Sequence, residues 1–252
     1  MKNVKRVLMV LSGKGGVGKS TVAVNVATAL AHRLRVGLLD ADLHGPNVPK
    51  MLGLEGATLM IRDNKIVPAV TPHNLAVVSL SFALPAPNVP VIWRGPLKMK
   101  AIRQFVEDVE WGDLDLLVVD LPPGTGDEPL SVAQLLAPVD AALVVVTPQE
   151  VALLDARKAV NFARQVNVRK IAVVENMAEL RCPHCGGSIK LFGQDGGEKM
   201  AAEMGVAFLG RLPFFPEVVA AGDSGRPLDF GDPARRAFLD LAEKVWEFVD
   251  GV

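Results

Sequence analysis

Short, continuous apolar runs recur along the chain at Val7–Leu11, Val36–Leu39, Leu114–Val119, Ala141–Val146 and Ile171–Val174. They do not alternate with polar residues, so each predicts a strand covered on both faces, as in a parallel sheet flanked by helices. Stretches with helical spacing lie between and after them: Ser20–His32, Leu97–Val109, Pro129–Leu136, Leu153–Gln165 and Arg235–Val249. In the last of these, Phe238, Leu241, Val245 and Val249 form one stripe, expected to pack into a core rather than onto a membrane. Leu59–Ser81 reads as short additional strands and Pro85–Pro90 as a proline-rich loop. With no internal repeat and no low-complexity linker, the expected fold is α/β, a mostly parallel sheet with helices on both faces, in one domain spanning 1–252.

Composition narrows the picture. Half of the 252 residues are apolar, enough for a sizeable core, and the formal net charge is −1. That balance gives no electrostatic reason to expect nucleic acid or an anionic membrane as partner. Lys2, Lys5 and Arg6 precede an apolar run too short for a signal-peptide core, and no stretch is long enough to span a membrane. A cytoplasmic protein is expected. The two cysteines, Cys182 and Cys185, do not make a secreted disulfide framework; their spacing points to metal binding or redox chemistry.

The segment Gly13-Lys14-Gly15-Gly16-Val17-Gly18-Lys19-Ser20, followed by Thr21, fits the P-loop pattern and stands between a predicted strand and a predicted helix. Its glycines let backbone N–H groups turn inward around phosphate oxygens, and the helix start adds its positive end. Lys19 is expected to reach the β- and γ-phosphates of ATP, and the Ser20 hydroxyl to ligate Mg²⁺. Asp120 ends a predicted strand, the arrangement in which a carboxylate holds Mg²⁺, often through water. Asp40 and Asp42 also follow a strand and are expected to converge on the loop. Asp42 is favoured for activating the attacking water and Asp40 for lying nearer the metal, with the roles open to exchange. Pro122–Asp127 reads as a switch that senses the γ-phosphate through Gly124, with Asp127 either part of it or a cap of the helix near Pro129.

The second lysine of the loop, Lys14, makes it resemble the deviant Walker A class of dimeric ATPases. That resemblance implies that Lys14 crosses a homodimer interface to the partner's ATP. Further segments follow in order: Asp40–Pro49, Trp93-Arg94-Gly95-Pro96, Asp120–Asp127, Glu175-Asn176-Met177, Cys182-Pro183-His184-Cys185, Phe192-Gly193 and Ala221–Pro227. Together they resemble the Mrp/ApbC (NUBP-like) family of iron–sulfur cluster carriers over nearly the whole chain. The resemblance implies a homodimer bridged by a labile [4Fe–4S] cluster on Cys182 and Cys185 of each subunit, delivered to apo iron–sulfur proteins in an ATP-dependent cycle. It also implies that the Asn176 amide hydrogen-bonds the adenine and that Pro213 flanks it. His44 departs from the tyrosine that relatives generally carry, which bears on the rate of hydrolysis. With no N-terminal extension before the first predicted strand, a minimal prokaryotic carrier is the expectation.

Three rival readings remain. A MinD/ParA-like organiser shares the two-lysine loop, but it would want a basic face or a basic amphipathic terminus. A structural zinc site would use the same four thiolates of a dimer, since zinc and iron both accept them. A redox Cys-x-x-Cys would sit at a helix start, which this pair does not. His184 is expected to face solvent or a turn rather than to complete a metal site.

Overall fold

A computed structural model describes residues 3–42, 45, 47–58, 60–83, 95–182 and 184–251, the side chains of 95–99 excepted. The predicted strands are β1 (Val4–Leu11), β2 (Val36–Asp40), β7 (Leu114–Asp120), β8 (Ala141–Val146) and β9 (Lys170–Arg181). The stretch expected to hold extra strands holds β3 (Met60–Arg62), β4 (Lys65–Val67), β5 (Ala69–Val70) and β6 (Ala76–Ser79). The predicted helices are α1 (Lys19–Ala31), α3 (Gly95–Glu107), α4 (Asp127–Leu136), α5 (Glu150–Gln165) and α8 (Ala234–Asp250). A short α2 (Val48–Met51), β10 (Ser188–Ile189), α6 (Gly196–Met204), β11 (Ala207–Phe214) and α7 (Pro216–Asp223) were not foreseen.

Among the described residues one nine-stranded sheet runs in the order β10-β9-β8-β1-β7-β2-β6-β5, with β11 also paired to β9. The strands from β11 through β9, β8, β1, β7 and β2 to β6 are mutually parallel, while β5 and β10 pair antiparallel. The continuous apolar runs have the expected cause. Successive strand residues point to opposite faces, and both faces are buried. Val7, Met9 and Leu11 of β1 enter one core with residues of α3, α4, α5 and α6. Leu8 and Val10 enter the other, with residues of α1, α2, α7 and α8. The α8 stripe behaves as predicted: Phe238, Leu241, Val245 and Val249 are all buried in that second core.

The chain leaves β1 through α1 to β2 on one side, and leaves β7 through α4 to β8 on the other. The strand order therefore reverses around β1, and a crevice opens beyond its carboxyl end. At the opposite end, Asp115 clamps three strand starts. It accepts from Lys5 Nζ at 2.9 Å, from the Arg35 amide at 2.9 Å and from Arg35 Nη2 at 3.1 Å.

The Arg35 side chain, then its amide and Lys5, hold the Asp115 carboxyl far below the ordinary carboxylate range. A depressed folded-state pKa contributes stability that is present above the unfolded pKa and lost as pH falls toward the folded one. Asp115→Asn is expected to cost about 1 kcal/mol at neutral pH, because the clamp is partly exposed. It should also flatten the stability loss below about pH 4. Urea titrations of both proteins at pH 7 and pH 3 check this.

Candidate functional site

The phosphate loop occupies that crevice. Gly13 opens it against the backbone of α5: a β-carbon there would fall 2.2 Å from the Asp155 carbonyl carbon, so only glycine fits. Gly16 and Gly18 take φ of 81° and 83°, the left-handed region that favours glycine. Gly18 then leads directly into α1. Gly15 and Gly16 have open space where a side chain would be, so the loop's tip faces outward. The Ser12 hydroxyl just before the loop is buried and has no hydrogen-bond partner among the described residues.

Beneath the loop, Lys19 Nζ donates to Asp120 Oδ1 at 2.6 Å and Ser20 Oγ donates to Asp120 Oδ2 at 2.5 Å. The Lys19 and Asp120 side chains are 7% and 0% exposed, so this ion pair is desolvated. A hydroxyl and a carboxylate converging at the foot of a phosphate loop are the hard oxygen donors that Mg²⁺ takes. Asp120 is raised by burial and by Asp42, against the charge and hydrogen bonds of Lys19 and the hydrogen bond of Ser20.

Asp40 is fully enclosed. It accepts from Ser79 Oγ at 2.9 Å and from the Asp42 amide at 3.2 Å. Burial, then the charge of Asp120, pushes it up to about 8. Asp42 is less enclosed and accepts the Gly45 amide at 3.2 Å. The Gly124 N–H, expected to sense phosphate, donates to the Ser12 carbonyl at 2.9 Å, so sensing requires that this bond be exchanged. Helix α4 begins at Asp127, two residues before the predicted start, and its N-cap is Gly126, without a side-chain cap. Asp127 is thus a first-turn residue and not the cap. Lys14 is half-buried and makes no ion pair with a described residue.

Asn176 reaches the loop from β9: its Nδ2 donates to the Val17 carbonyl at 2.9 Å. A cavity of about 50 Å³ opens between Thr21, Asn176, Pro213, Phe215 and Val218. Thus Asn176 and Pro213, from different strands, meet beside α1. A β-carbon on Gly18 would fall 2.2 Å from Asn176 Nδ2 and would carry the strain of φ 83°. Gly18→Ala is therefore expected to weaken ADP binding by about tenfold or more and to lower the melting temperature; calorimetric titration with ADP checks it.

Cys182 and Cys185 lie in the hairpin between β9 and β10, where Ser188 pairs with Arg181. The Cys182 amide donates to the Gly187 carbonyl and the Gly186 amide to the Cys182 carbonyl, both at 2.9 Å. Backbone N–H groups of Cys185, then of His184, together with the Cys185 thiol, hold Cys182 below an ordinary thiol. Both cysteines are free, Cys185 exposed and Cys182 half-buried. Among the described residues no cluster of three or more metal-binding side chains exists, and His184 does not complete one. One chain therefore supplies two thiolates.

His44, Trp93, Arg94 and Pro183 lie outside the described residues. Three contributors escaped the sequence reading. Ser79 holds Asp40 only because β6 lies next to β2, and Phe215 and Val218 line the cavity only because of α7. No local signal marks any of them.

No helix among the described residues is long and apolar enough to cross a membrane. An iron-sulfur cluster carrier protein of Saccharolobus solfataricus is 47% identical over 99% of this chain and 86% of its own. A nucleotide-binding protein of Archaeoglobus fulgidus, solved in complex with ADP and with Co, is 35% identical, with a TM-score of 0.81 over 94% of this chain and 93% of its own. The cell division ATPase MinD of Pyrococcus furiosus shares the fold, at 23% identity and a TM-score of 0.71, covering 96% of this chain and 99% of its own. The family model described as ParA, NUBPL iron-transfer P-loop NTPase, matches residues 3–246, and the chain belongs to that family.

Proposed function

We propose that this protein is an ATP-hydrolysing carrier that binds a [4Fe–4S] cluster between two copies of itself and delivers it to apo iron–sulfur proteins. The observation that carries this reading is that one strand, β9, bears Asn176 at the phosphate loop and leads directly into the Cys182–Cys185 hairpin. Relatives 46–50% identical to this chain are named iron-sulfur cluster carrier proteins.

A cluster wants four thiolates; one chain offers two, so a twofold dimer completes the set. Val151, Leu154, Ile189 and Leu191 are exposed apolar residues on α5 and just beyond the cysteines. The backbone of α5 also meets the phosphate loop at Gly13. Exposed apolar side chains on the helix beside the loop and next to the hairpin suit a second copy. The same set of four thiolates accepts zinc, which defines the alternative: a MinD/ParA-like switch clamped by a structural zinc.

The loop amides and Lys19 bind the phosphates of ATP, and Asn176 with Pro213 holds the adenine. Mg²⁺, held through Ser20 and Asp120, supplies neutralisation of phosphate charge. When Lys19 turns to the phosphates, Asp120 is released for that role. Water attacks the γ-phosphorus, its proton passes to Asp42, and the bond to the β-phosphate oxygen breaks to give ADP and phosphate. Asp40 is enclosed and tied to Ser79, which leaves the more accessible Asp42 to face water. Lys14 enters the partner's site and stabilises the charge that develops there.

Lys14→Ala is expected to keep ATP affinity within about threefold and to lose turnover by about a hundredfold or more. Parallel binding and phosphate-release assays check it; equal losses in both would remove the role in trans. The function itself is tested by mixing the cluster-loaded protein with an apo [4Fe–4S] enzyme in the presence of an iron chelator. Enzyme activity should return. Activation no faster than from free iron and sulfide would contradict a carrier.

A further inference from the structure

Beyond the nucleotide loop and the cysteine pair, the strand that joins them contains an irregular joint. Met177 has φ 55°, the left-handed region, although it lies inside β9 and carries a side chain. Few residues other than glycine, asparagine and aspartate adopt that conformation without cost. The joint interrupts the ladder. Asn176 pairs with Leu212 and Leu180 with Phe214, so β9 advances four residues while β11 advances two.

Each side of the joint has a distinct duty. Just before it, Glu175 is 1% exposed, accepts the Gly197 amide at 2.6 Å and pairs with Arg211 at 3.3 Å, anchoring β9 to α6 and β11. The next side chain, Asn176, is bonded to the phosphate loop. Just after it, Ala178–Arg181 run out to the hairpin that starts with Cys182. The anchored part is thus fixed to the core and the nucleotide loop, and the outer part carries the half-buried Cys182 and the exposed Cys185.

We propose that Met177 is a positioning residue whose left-handed backbone aims Asn176 at the nucleotide and sets the register that presents Cys182, so that filling the adenine seat shifts the cysteine hairpin. This rests on the nucleotide and cysteine readings given above. A strained conformation persists only where its surroundings over-determine it, and here the Glu175 anchor and the Asn176 bond do so from one side. A nucleotide that engages the Asn176 amide alters that restraint, and the hairpin beyond the joint responds.

The test uses the full-length, metal-free protein and ADP, which fills the adenine seat without a γ-phosphate. The alkylation rate of Cys182 by iodoacetamide is mapped by mass spectrometry with and without ADP, and ADP affinity is measured separately by calorimetry. In the wild type, ADP should change the Cys182 rate by about threefold or more. Met177→Asn, which tolerates the left-handed region, should bind ADP and keep the response. Met177→Gly, whose backbone swivels freely and which removes a side chain lining the cavity, should bind ADP more weakly and, at saturating ADP, lose the response.

A wild-type rate indifferent to bound ADP overturns the inference. So does a glycine variant that responds in full, because the joint then transmits nothing. Failure of the wild type to bind ADP at all is a different result: it overturns the nucleotide reading itself and the inference with it.

Discussion

Lys19→Ala is expected to abolish usable ATP binding, lowering affinity by about a hundredfold or more, equivalent to roughly 3 kcal/mol. The loss has two sources. The variant lacks the ammonium that meets the β- and γ-phosphates, and it removes the partner of a desolvated carboxylate. Lys19 and Asp120 are paired at 2.6 Å with almost no exposure, and Asp40 is buried beside Asp120. Removing one member of such a pair leaves an uncompensated buried charge, worth about 3–5 kcal/mol unless the carboxyl takes up a proton. Asp120 is already raised by burial, so the variant should fold with that group protonated and melt at a lower temperature. The double variant Lys19→Ala/Asp120→Asn should recover stability without recovering ATP binding. A double variant as unstable as the single one would mean that the buried charge is not the cause.

Cys182→Ala is expected to lose cluster binding entirely while leaving ADP affinity within about threefold. The argument is one of ligand number. Among the described residues no further cysteine, histidine or carboxylate forms a metal-binding group with the pair. A dimer of the variant would therefore offer two thiolates where a cluster wants four. Nucleotide binding survives because, among the described residues, the hairpin contributes no side chain to either core. Iron content after reconstitution, set beside an ADP titration, checks both halves. Retained iron in the variant would remove Cys182 from the site.

What was legible in the sequence follows from how local the physics is. The phosphate loop is read from adjacent residues, because glycines at Gly16 and Gly18 serve backbone angles that glycine favours. The central strands are read from their apolar runs, because both faces of the sheet are buried. By contrast, β11 contains Gly210 and Pro213, residues that weaken any strand signal. It forms because β9 offers it a parallel edge. Helix α6 opens on two glycines, and α7 spans only Pro216–Asp223, so neither shows a long apolar period. β9 runs on from its apolar run to Arg181 because its polar outer half pairs with β11 and β10.

The site divides in the same way. Lys19, Ser20 and Asp120 were expected together, and they do meet. Asn176 and Pro213 were expected near the base from resemblance, and they line one small cavity. Ser79 was invisible, since a serine acquires meaning only from the strand beside it. Met177 was visible as a motif residue but not as a left-handed one, because methionine has no preference for that conformation. Interactions that depend on which strands become neighbours could not be read from spacing alone.

The central claim is that two cysteine hairpins share one iron–sulfur cluster in a nucleotide-binding dimer. Anaerobic reconstitution with iron and sulfide tests it most directly, read by visible absorbance and by metal and sulfide content per dimer. The account predicts a coloured protein with about four irons and four sulfides per dimer, both lost in Cys185→Ala. A colourless protein holding about one zinc per dimer would contradict it, and would make the hairpin a structural clamp on a nucleotide switch.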